Sequence, residues 1–428
     1  MNMESHIVAI DLGSSFIKGA VAQKDEQGRL KILAVEKEPS VGVRNGVVYN
    51  PSEAAARVKS IVTKLQNRLR PIEFSKVYVG LNGHTIKTIE NNIPFSFQED
   101  KELTENILDE LCEQNNSYGN SETSIYEIFA QEFLLDGELE AEPLNCMAKS
   151  GQANYKLVLG KAQIKERIFQ TMERISLDIA GIFIAPVTTA EVMVSNADKE
   201  LGCAVIDFGG ETTSICVYAD NFIRHVAVIP FGGKTITKDI MNLRVPETKA
   251  EELKIEHGCA LVAMQNTDDS ITLPPTDYRA EEITVSFKKM AQIIEARMNE
   301  IADFICIEID KSGYYSQLRN GLIITGGGSA LDGIAELLNM KSGFDVRFGS
   351  HEHLLAGNVA ENDEETEKNE KEFICENNAL LAGLLHFGTE DCKGEKPKIV
   401  ETLKRQKGKS WLRKMGDGIV RNLFEDRE

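Results

Sequence analysis

Aspartate, glycine and small hydroxyl residues occur together twice in this sequence, each time between two apolar segments. The first group is Asp11-Leu12-Gly13-Ser14-Ser15, and the second is Asp207-Phe208-Gly209-Gly210-Glu211-Thr212-Thr213. Each predicts a strand, a tight glycine turn and a second strand. Turns without bulky side chains let phosphate oxygens approach backbone N–H groups closely. An aspartate at the mouth of such a turn is suited to hold a divalent cation, usually through water.

A third glycine-rich turn follows the apolar run Leu322-Ile323-Ile324-Thr325. It consists of Gly326, Gly327 and Gly328 and is followed by a helical pattern. The base and ribose of a nucleotide can lie against backbone that carries no side chains. Two hairpins followed by this loop therefore predict a clamp around a nucleotide. The alternative is that the three turns merely join strands of an α/β protein.

Composition limits the classes of function. The 428 residues suffice for two to four domains, and 42% hydrophobic and 27% charged residues are ordinary for a soluble protein. A net charge of −19 argues against a general nucleic-acid binder. The eight cysteines include no C-x-x-C pair, which indicates reduced thiols in a cytosolic protein. No uninterrupted apolar run is long enough to predict a membrane span.

The order of elements predicts an α/β protein with a small inserted domain. A helix opening at Pro51 and a strand over 77–81 precede a region at about 82–161 with short alternating strands and an acidic helix from Thr104. After it we expect helices over 162–175, 234–243, 246–258, 282–312 and 377–385. The acidic run at 361–372 is typical of a solvated loop.

The last forty residues change character twice. Residues 388–408 are polar and lysine-rich, which predicts a flexible linker. Residues 409–428 predict an amphipathic helix that lies in a lipid surface, with a basic face opposite its apolar one. The apolar positions are Trp411, Leu412, Met415, Ile419, Val420 and Leu423, with Phe424 beside them, and the basic positions are Arg413, Lys414 and Arg421. The alternative is a helix docked on the protein's own core or on a partner.

Together these features resemble the FtsA family of bacterial actin-like division proteins, part of the actin and sugar kinase-like ATPase superfamily. The resemblance covers nearly the whole chain. It lies in residues 200–213 around the second hairpin, 223–233 and 237–240 after it, 250–254 and 324–328. It implies an actin-like, ribonuclease H-like fold in which duplicated α/β domains surround a nucleotide cleft, with an inserted small α+β subdomain.

The resemblance implies ATP and Mg²⁺ as ligands and gives each candidate residue a role. Asp11 and Asp207 belong to the Mg²⁺ shell, the alternative being that they cap turns. Lys18 reaches the phosphates or is an ordinary strand lysine. Glu251 and Lys254 approach the ribose or form a surface ion pair. The remaining candidates contact phosphate or adenosine: Gly13, Ser14, Ser15, Gly209, Gly210, Thr212, Thr213, Gly233, Gly326, Gly327 and Gly328.

The resemblance also implies a domain division and partners. Subdomain 1A would comprise residues 1–82, 163–200 and 377–387, the inserted subdomain 1C (SHS2-like) 83–162, subdomain 2A 201–243 and 313–376, and subdomain 2B 244–312. We expect FtsZ to bind 2B through its C-terminal peptide, further copies of the chain to form filaments, and residues 409–428 to bind membrane lipids. Other divisome proteins are expected partners, and nucleic acid is not. The expected location is the cytoplasmic face of the inner membrane at midcell.

Three positions depart from the family pattern. Glu211 and Ser214 replace a glycine and an aspartate of the second hairpin, so a carboxylate lies beside the expected phosphates. Ala185 precedes Pro186 where relatives that hydrolyse ATP well often carry glutamate, and Glu191 is poorly spaced to substitute. The chain would therefore be at most a weak ATPase. The alternatives are an actin-like scaffold of a pilus or secretion assembly, similar to PilM, and a small-molecule kinase.

Overall fold

The computed structural model describes residues 5–394 except 266–268, 276–280, 357–363 and 376. Up to residue 81 the elements are β1 (Ile7–Leu12), β2 (Phe16–Lys24), β3 (Leu30–Pro39), β4 (Val43–Arg44), β5 (Val47–Val48), α1 (Pro51–Arg68) and β6 (Lys76–Leu81). The inserted region follows with β7 (Lys87–Glu102), α2 (Glu105–Glu113), β8 (Thr123–Ala130), β9 (Phe133–Leu135), β10 (Glu138–Glu140) and β11 (Met147–Lys161). The chain then returns through α3 (Gln163–Glu173), β12 (Asp178–Ile184), α4 (Ala185–Glu191) and α5 (Asn196–Leu201).

The remaining elements repeat the opening pattern. They are β13 (Cys203–Phe208), β14 (Thr213–Ala219), β15 (Phe222–Ile229), α6 (Gly233–Ile240), α7 (Glu247–His257), β16 (Ser270–Leu273), β17 (Ile283–Ser286), α8 (Phe287–Lys311), β18 (Leu322–Thr325), α9 (Ile334–Ser342), β19 (Val346–Phe348), α10 (Glu364–Cys375) and α11 (Ala379–Phe387).

Two sheets share one topology. The first sheet has the order β12-β6-β1-β2-β3. The second is a ten-stranded sheet that contains the order β19-β18-β13-β14-β15 and continues from β15 through β7 into the inserted region. In both, an antiparallel hairpin is followed by a third antiparallel strand, and the first hairpin strand has a parallel neighbour on its other side. The predicted duplicated α/β fold is therefore confirmed. The aspartates of the two hairpins occupy equivalent positions, near the end of β1 and near the end of β13.

Continuous apolar runs and their burial explain why these strands form. Residues Ile7 to Ile10 and Ala204 to Ile206 are almost completely buried, as expected for central strands covered on both faces. The second sheet shares one core with α6, α7, α8 and α9, in which Ile206, Ile215 and Leu322 meet Met290 and Ile294. Burial of these side chains supplies the main driving force that fixes the hairpins in place.

The inserted region has an apolar core of its own. Leu103, Leu111, Phe133, Tyr155 and Leu157 are among its buried residues. It joins the second sheet where β7 pairs with β15 at Lys87 and Ala227, and where the Thr88 hydroxyl donates to the Val226 carbonyl at 2.9 Å. A separate core agrees with a subdomain in this part of the chain. The exact domain boundaries given above stay predictions.

Three sequence-based expectations differ from the structure. The helix expected from residue 282 begins at Phe287, because the β-branched residues 283–285 form β17 against β16 and Ser286 caps the helix. The expected loop at 361–372 is helical from Glu364, since Glu and Lys are good helix formers and Phe373 anchors α10 in the interior. Residues 361–363 lie outside the described part.

The predicted flexible linker is the third difference. Its first residues, 388–394, are held against the first sheet: Cys392 is buried, its N–H donates to the His6 carbonyl at 2.8 Å, and its carbonyl accepts from the Ser75 N–H at 3.0 Å. Sequence composition could not reveal these long-range contacts. The rest of the linker and the predicted lipid-binding helix at 409–428 lie outside the described residues. Among the helices that the structure describes, none combines the length and apolarity that a membrane crossing requires.

Candidate functional site

The tips of the two equivalent hairpins meet at one cleft. Gly13 and Gly209 adopt the same turn, since a Cβ on Gly13 would lie 2.6 Å from the Phe16 carbonyl oxygen and one on Gly209 would lie 2.8 Å from that of Thr212. A Cβ on Gly210 would lie 2.1 Å from the Ser15 hydroxyl oxygen and 3.2 Å from the Ser15 Cβ, so the two tips approach closely where Gly210 carries no side chain. The cleft has a volume of about 690 Å³.

Most of the candidate residues line this cleft. Those that do so are Asp11, Gly13, Ser14, Ser15, Lys18, Asp207, Gly209, Gly210, Thr212, Gly233, Glu251, Lys254, Gly326, Gly327 and Gly328. Thr213 is the exception, because it is buried and its hydroxyl donates to the Phe231 carbonyl at 2.9 Å. This hydrogen bond joins the hairpin to the segment that follows β15, and Thr213 does not line the cleft.

The two aspartates form an electrostatically costly pair. Burial raises the pKa of Asp11 to about 6, and nearby Lys18 opposes this shift. Burial also raises the pKa of Asp207 to about 6, and the negative charge of Asp11 adds to that rise. Lys18 faces Asp11 across the first hairpin, and its ammonium donates to the Asn378 side-chain oxygen at 2.8 Å. Two buried carboxylates at one cleft favour the binding of a cation, which can lie between the aspartates and a negatively charged ligand.

The glycine loop lies directly against the second aspartate. Gly326 has a φ of +86°, and a Cβ there would lie 2.3 Å from a carboxylate oxygen of Asp207. Asn377 holds the loop, because its side-chain N–H donates to the Gly326 carbonyl at 3.2 Å while its oxygen accepts from the Thr325 hydroxyl at 2.9 Å. The loop is thus bare backbone along one wall of the cleft.

Glu251 and Lys254 form the ion pair that the sequence left as one of two alternatives, and both also line the cleft. The Lys254 ammonium lies 2.7 Å from the Glu251 carboxylate and donates to the Gly233 carbonyl at 3.0 Å and the Thr237 hydroxyl at 2.9 Å. The Thr237 hydroxyl is also hydrogen-bonded to Glu251. These contacts fix α7 to the start of α6.

Glu211 does not project into the cleft. One of its carboxylate oxygens accepts from the Asn45 N–H at 2.7 Å, and the other lies 3.3 Å from the Lys234 ammonium. The carboxylate is therefore paired with a cation at the outer side of the hairpin tip. Glu211 is therefore not placed to repel phosphates in the cleft, contrary to what its sequence position had suggested.

Sequence reasoning missed several polar residues of the cleft, among them Lys234, Asn377 and Asn378. Lys234 had a signal, since it follows Gly232-Gly233 at the start of a predicted helix. The two asparagines had none, because they reach the cleft only through contacts with Lys18 and Gly326, far away in the sequence.

The position that favours hydrolysis in related folds carries no acid here. Ala185 begins α4 and lines the cleft. Glu191 is engaged elsewhere, with Lys199 at 2.7 Å and the Tyr218 hydroxyl at 2.9 Å. Within the described residues no cluster of three or more His, Cys, Asp and Glu side chains could hold a metal ion by itself.

The duplicated sheets around a cleft of paired glycine hairpins define an actin-like protein. Solved structures agree on the fold. A chain of the PilM-PilN type IV pilus biogenesis complex has a TM-score of 0.62 at 16% identity, covering 90% of this chain and 98% of its own. MreB5 of Spiroplasma citri bound to ADP has a TM-score of 0.51 at 12% identity, covering 86% and 96%.

Sequence comparisons show similarity to one family of division proteins. The family model "Cell division protein FtsA" matches residues 204–371. Curated proteins of that name are similar along most of the chain: 27% identity in Pseudomonas aeruginosa over 80% of this chain and 82% of the relative, and 24% in Escherichia coli K12 over 96% and 97%. The Bacillus subtilis protein is 27% identical over 83% and 80%. The chain is thus similar to cell division proteins of the FtsA family along most of its length, and its fold is actin-like.

Proposed function

We propose that this protein binds ATP in the cleft and acts as a self-associating adaptor that anchors the FtsZ ring to the cytoplasmic membrane. The observation that carries the nucleotide part is the close approach of Ser15 and Gly210 at the hairpin tips, with Asp11 and Asp207 lining the same cleft. The volume of about 690 Å³ lies in the range of small-molecule sites.

In this proposal the hairpins hold the phosphates. Gly13, Ser14, Ser15, Gly209, Gly210 and Thr212 would donate to phosphate oxygens, and Lys18 would add positive charge. Gly326, Gly327 and Gly328 would support adenosine, while Glu251 and Lys254 would lie at the ribose. The structure of MreB5 bound to ADP, which shares the fold, supports this use of the cleft.

The two aspartates suit Mg²⁺ held through water. Burial raises the pKa of each to about 6, so keeping both carboxylates charged in the cleft is unfavourable without a cation. Mg²⁺ keeps several waters and completes its shell with phosphate oxygens, and it does not require a cage made only of protein ligands. When bound, the ion would neutralise charge between Asp11, Asp207 and the phosphates.

Calorimetry tests the nucleotide proposal. We expect the full-length chain to bind ATP with Mg²⁺, Asp11→Asn to weaken binding at least tenfold, and the exposed control Asp100→Asn to leave it unchanged. A crystal soaked with ATP and Mg²⁺ should show density between residues 11, 207 and 326. If millimolar ATP releases no heat and leaves the cleft unchanged, the nucleotide proposal is wrong.

The membrane proposal depends on residues 409–428. The alternation of apolar and basic residues there fits a helix that inserts its apolar face between lipids. Pelleting with vesicles containing anionic lipid should be lost when these residues are deleted and strongly reduced by Ile419→Glu. Arg421→Lys, which keeps the charge, should pellet normally. Full pelleting of the deletion variant would contradict the proposal.

FtsZ and further copies of the chain are the proposed partners. Residues 244–312, the expected FtsZ site, expose several large apolar side chains, including Ile255, Met264, Phe304 and Ile307. Phe304 and Ile307 are three residues apart on α8 and therefore lie on one face of that helix, which favours contact with another protein there. A synthetic C-terminal FtsZ peptide should bind the wild type and bind Ile307→Lys more weakly, with Asp310→Asn as the control. ATP would favour polymers by binding their closed state more tightly.

The two alternatives find less support. A pilus scaffold rests on the PilM likeness, which at 16% identity concerns the fold only, whereas the curated relatives are division proteins. A small-molecule kinase needs a general base at a substrate hydroxyl. Ala185 and the engaged Glu191 supply none, and the same two residues favour at most weak ATP hydrolysis.

A further inference from the structure

A ring of hydrogen bonds joins the two hairpins at the edge of the cleft. Lys234 donates to the Ser14 carbonyl at 2.7 Å, and its ammonium also lies 3.3 Å from Glu211. Glu211 in turn accepts from the Asn45 N–H at 2.7 Å, and the neighbouring Gly46 N–H donates to the Ser14 hydroxyl at 2.9 Å. The ring thus runs from the second hairpin to the first and back. Its only charged members are Glu211 and Lys234.

Hydrogen bonds hold the backbone of Lys234 in place, whereas its side chain is partly exposed. The Lys234 N–H donates to the Gly210 carbonyl at 2.7 Å, and the Gly233 N–H donates to that of Gly209 at 3.0 Å. A Cβ on Gly232 would lie 2.5 Å from the Gly209 carbonyl oxygen, so this approach depends on glycine. The Lys234 side chain is 30% exposed and lines the cleft, whereas Glu211 does not line it. The ammonium therefore lies between an acid outside the cleft and whatever enters the cleft.

We propose that Lys234 is a ligand for the terminal phosphate of a nucleoside triphosphate and that Glu211 is a built-in competitor for it. This inference rests on the proposed nucleotide site. With adenosine on the loop at 326–328 and the phosphates between the hairpins, a cation bound to both hairpin tips meets the end of the phosphate chain. A lysine ammonium has three N–H donors and binds phosphate as a point charge. On binding, it exchanges its contact with Glu211 for one with phosphate.

The competition predicts opposite effects for the two side chains. Lys234→Met removes a charged ligand, so ATP should bind about tenfold or more weakly. Glu211→Gln keeps an oxygen for the Asn45 N–H but no longer holds the ammonium by charge, so ATP should bind several-fold more tightly. ADP lacks the terminal phosphate, so its affinity should change less than threefold in both variants. Lys238→Met, at an exposed position of the same helix, is the control.

The experiment is calorimetric titration of the full-length wild type, the three single variants and the Glu211→Gln/Lys234→Met double variant with MgATP and with MgADP. In the double variant, Glu211→Gln should no longer tighten binding through Lys234, so the two substitutions should be non-additive for ATP. Melting temperatures establish that each variant is folded. If the wild type does not bind MgATP, the proposed function fails. If it does bind, and Glu211→Gln weakens ATP and ADP equally, the ring is purely structural and this inference is wrong.

Discussion

At the scale of single residues, the cleft combines groups that the fold alone would not favour. Burial raises the pKa of both Asp11 and Asp207, and the charge of Asp11 raises that of Asp207 further. At position 326 there is no room for a side chain beside Asp207, so glycine is required there. Natural proteins tolerate such arrangements mainly at functional sites, where a bound ligand stabilises them. The aspartates and hairpin glycines could be predicted because turn chemistry is local. Lys234 and Asn378 could not be assigned, because their roles depend on contacts made by the folded chain.

Replacing one aspartate should stabilise the ligand-free protein. Asp207→Asn removes a buried charge that Asp11 repels, so we expect the free energy of unfolding at pH 7 to rise by about 1–2 kcal/mol. The same variant should lose its stabilisation by MgATP. Urea unfolding with and without MgATP measures both effects, and exposed Asp100→Asn is the control. A less stable ligand-free variant would contradict the assignment of strain to this pair.

A second residue-scale prediction concerns pH. Burial, with a smaller effect from His353, lowers the pKa of His351 to about 4; the ring packs edge-on to Phe373. The unfolded chain binds this proton near pH 6.5, whereas the folded chain resists it until about pH 4. Stability at this site is therefore complete above about pH 6.5 and falls as the pH drops toward 4.

The comparison of variants isolates that effect from the aspartates, whose raised pKa values act in the opposite direction. The free energy of unfolding of His351→Gln should fall less between pH 7 and pH 4.5 than that of the wild type, by roughly 2 kcal/mol. Exposed His84→Gln should follow the wild type throughout. Parallel curves for wild type and His351→Gln would show that His351 does not carry this pH dependence.

At the scale of elements, periodicity predicted most helices and strands, and the errors lie where two signals compete. Residues 283–286 continue the apolar pattern of α8, yet they form a strand that pairs with β16, because residues 283–285 are β-branched. The acidic run contains good helix formers but few apolar residues, so composition favoured a loop. Phe373, a residue of α10, is fully buried, and its packing against the rest of the protein favours the helix over the loop. No local window of sequence contains this tertiary contact.

The start of α8 gives a discriminating test. The Ser286 hydroxyl caps the helix by accepting from the Lys289 N–H at 3.4 Å, so Ser286→Ala should destabilise the protein by about 0.5–1 kcal/mol. If the helix began at residue 282, the same change would be neutral or stabilising, because alanine is the better helix former in an interior position. Chemical denaturation compared with the exposed control Ser121→Ala separates the two outcomes.

At the scale of the whole molecule, the duplicated sheets bring two similar turns from distant parts of the sequence to one cleft. The inserted region is tied to the second sheet by more than the β7–β15 pairing. Arg224 on β15 is almost completely buried and forms two contacts with the Glu132 carboxylate, at 2.5 and 2.6 Å. Its guanidinium also lies over the rings of Phe222 and Tyr314. Arg224 therefore adds a charged, buried connection to the strand pairing between the inserted region and the second sheet.

Removing that arginine should loosen the connection and leave the two cores intact. We expect Arg224→Met to lower the free energy of unfolding by about 3 kcal/mol, because Glu132 and the Gln131 side chain lose a charged partner. Glu132→Gln, which keeps hydrogen-bonding capacity, should cost less. Hydrogen exchange should accelerate at β7 and β15 and remain slow at β13, whose N–H groups lie inside the second sheet. Uniform acceleration across both sheets would mean that Arg224 stabilises the fold as a whole, with no special role in holding the inserted region.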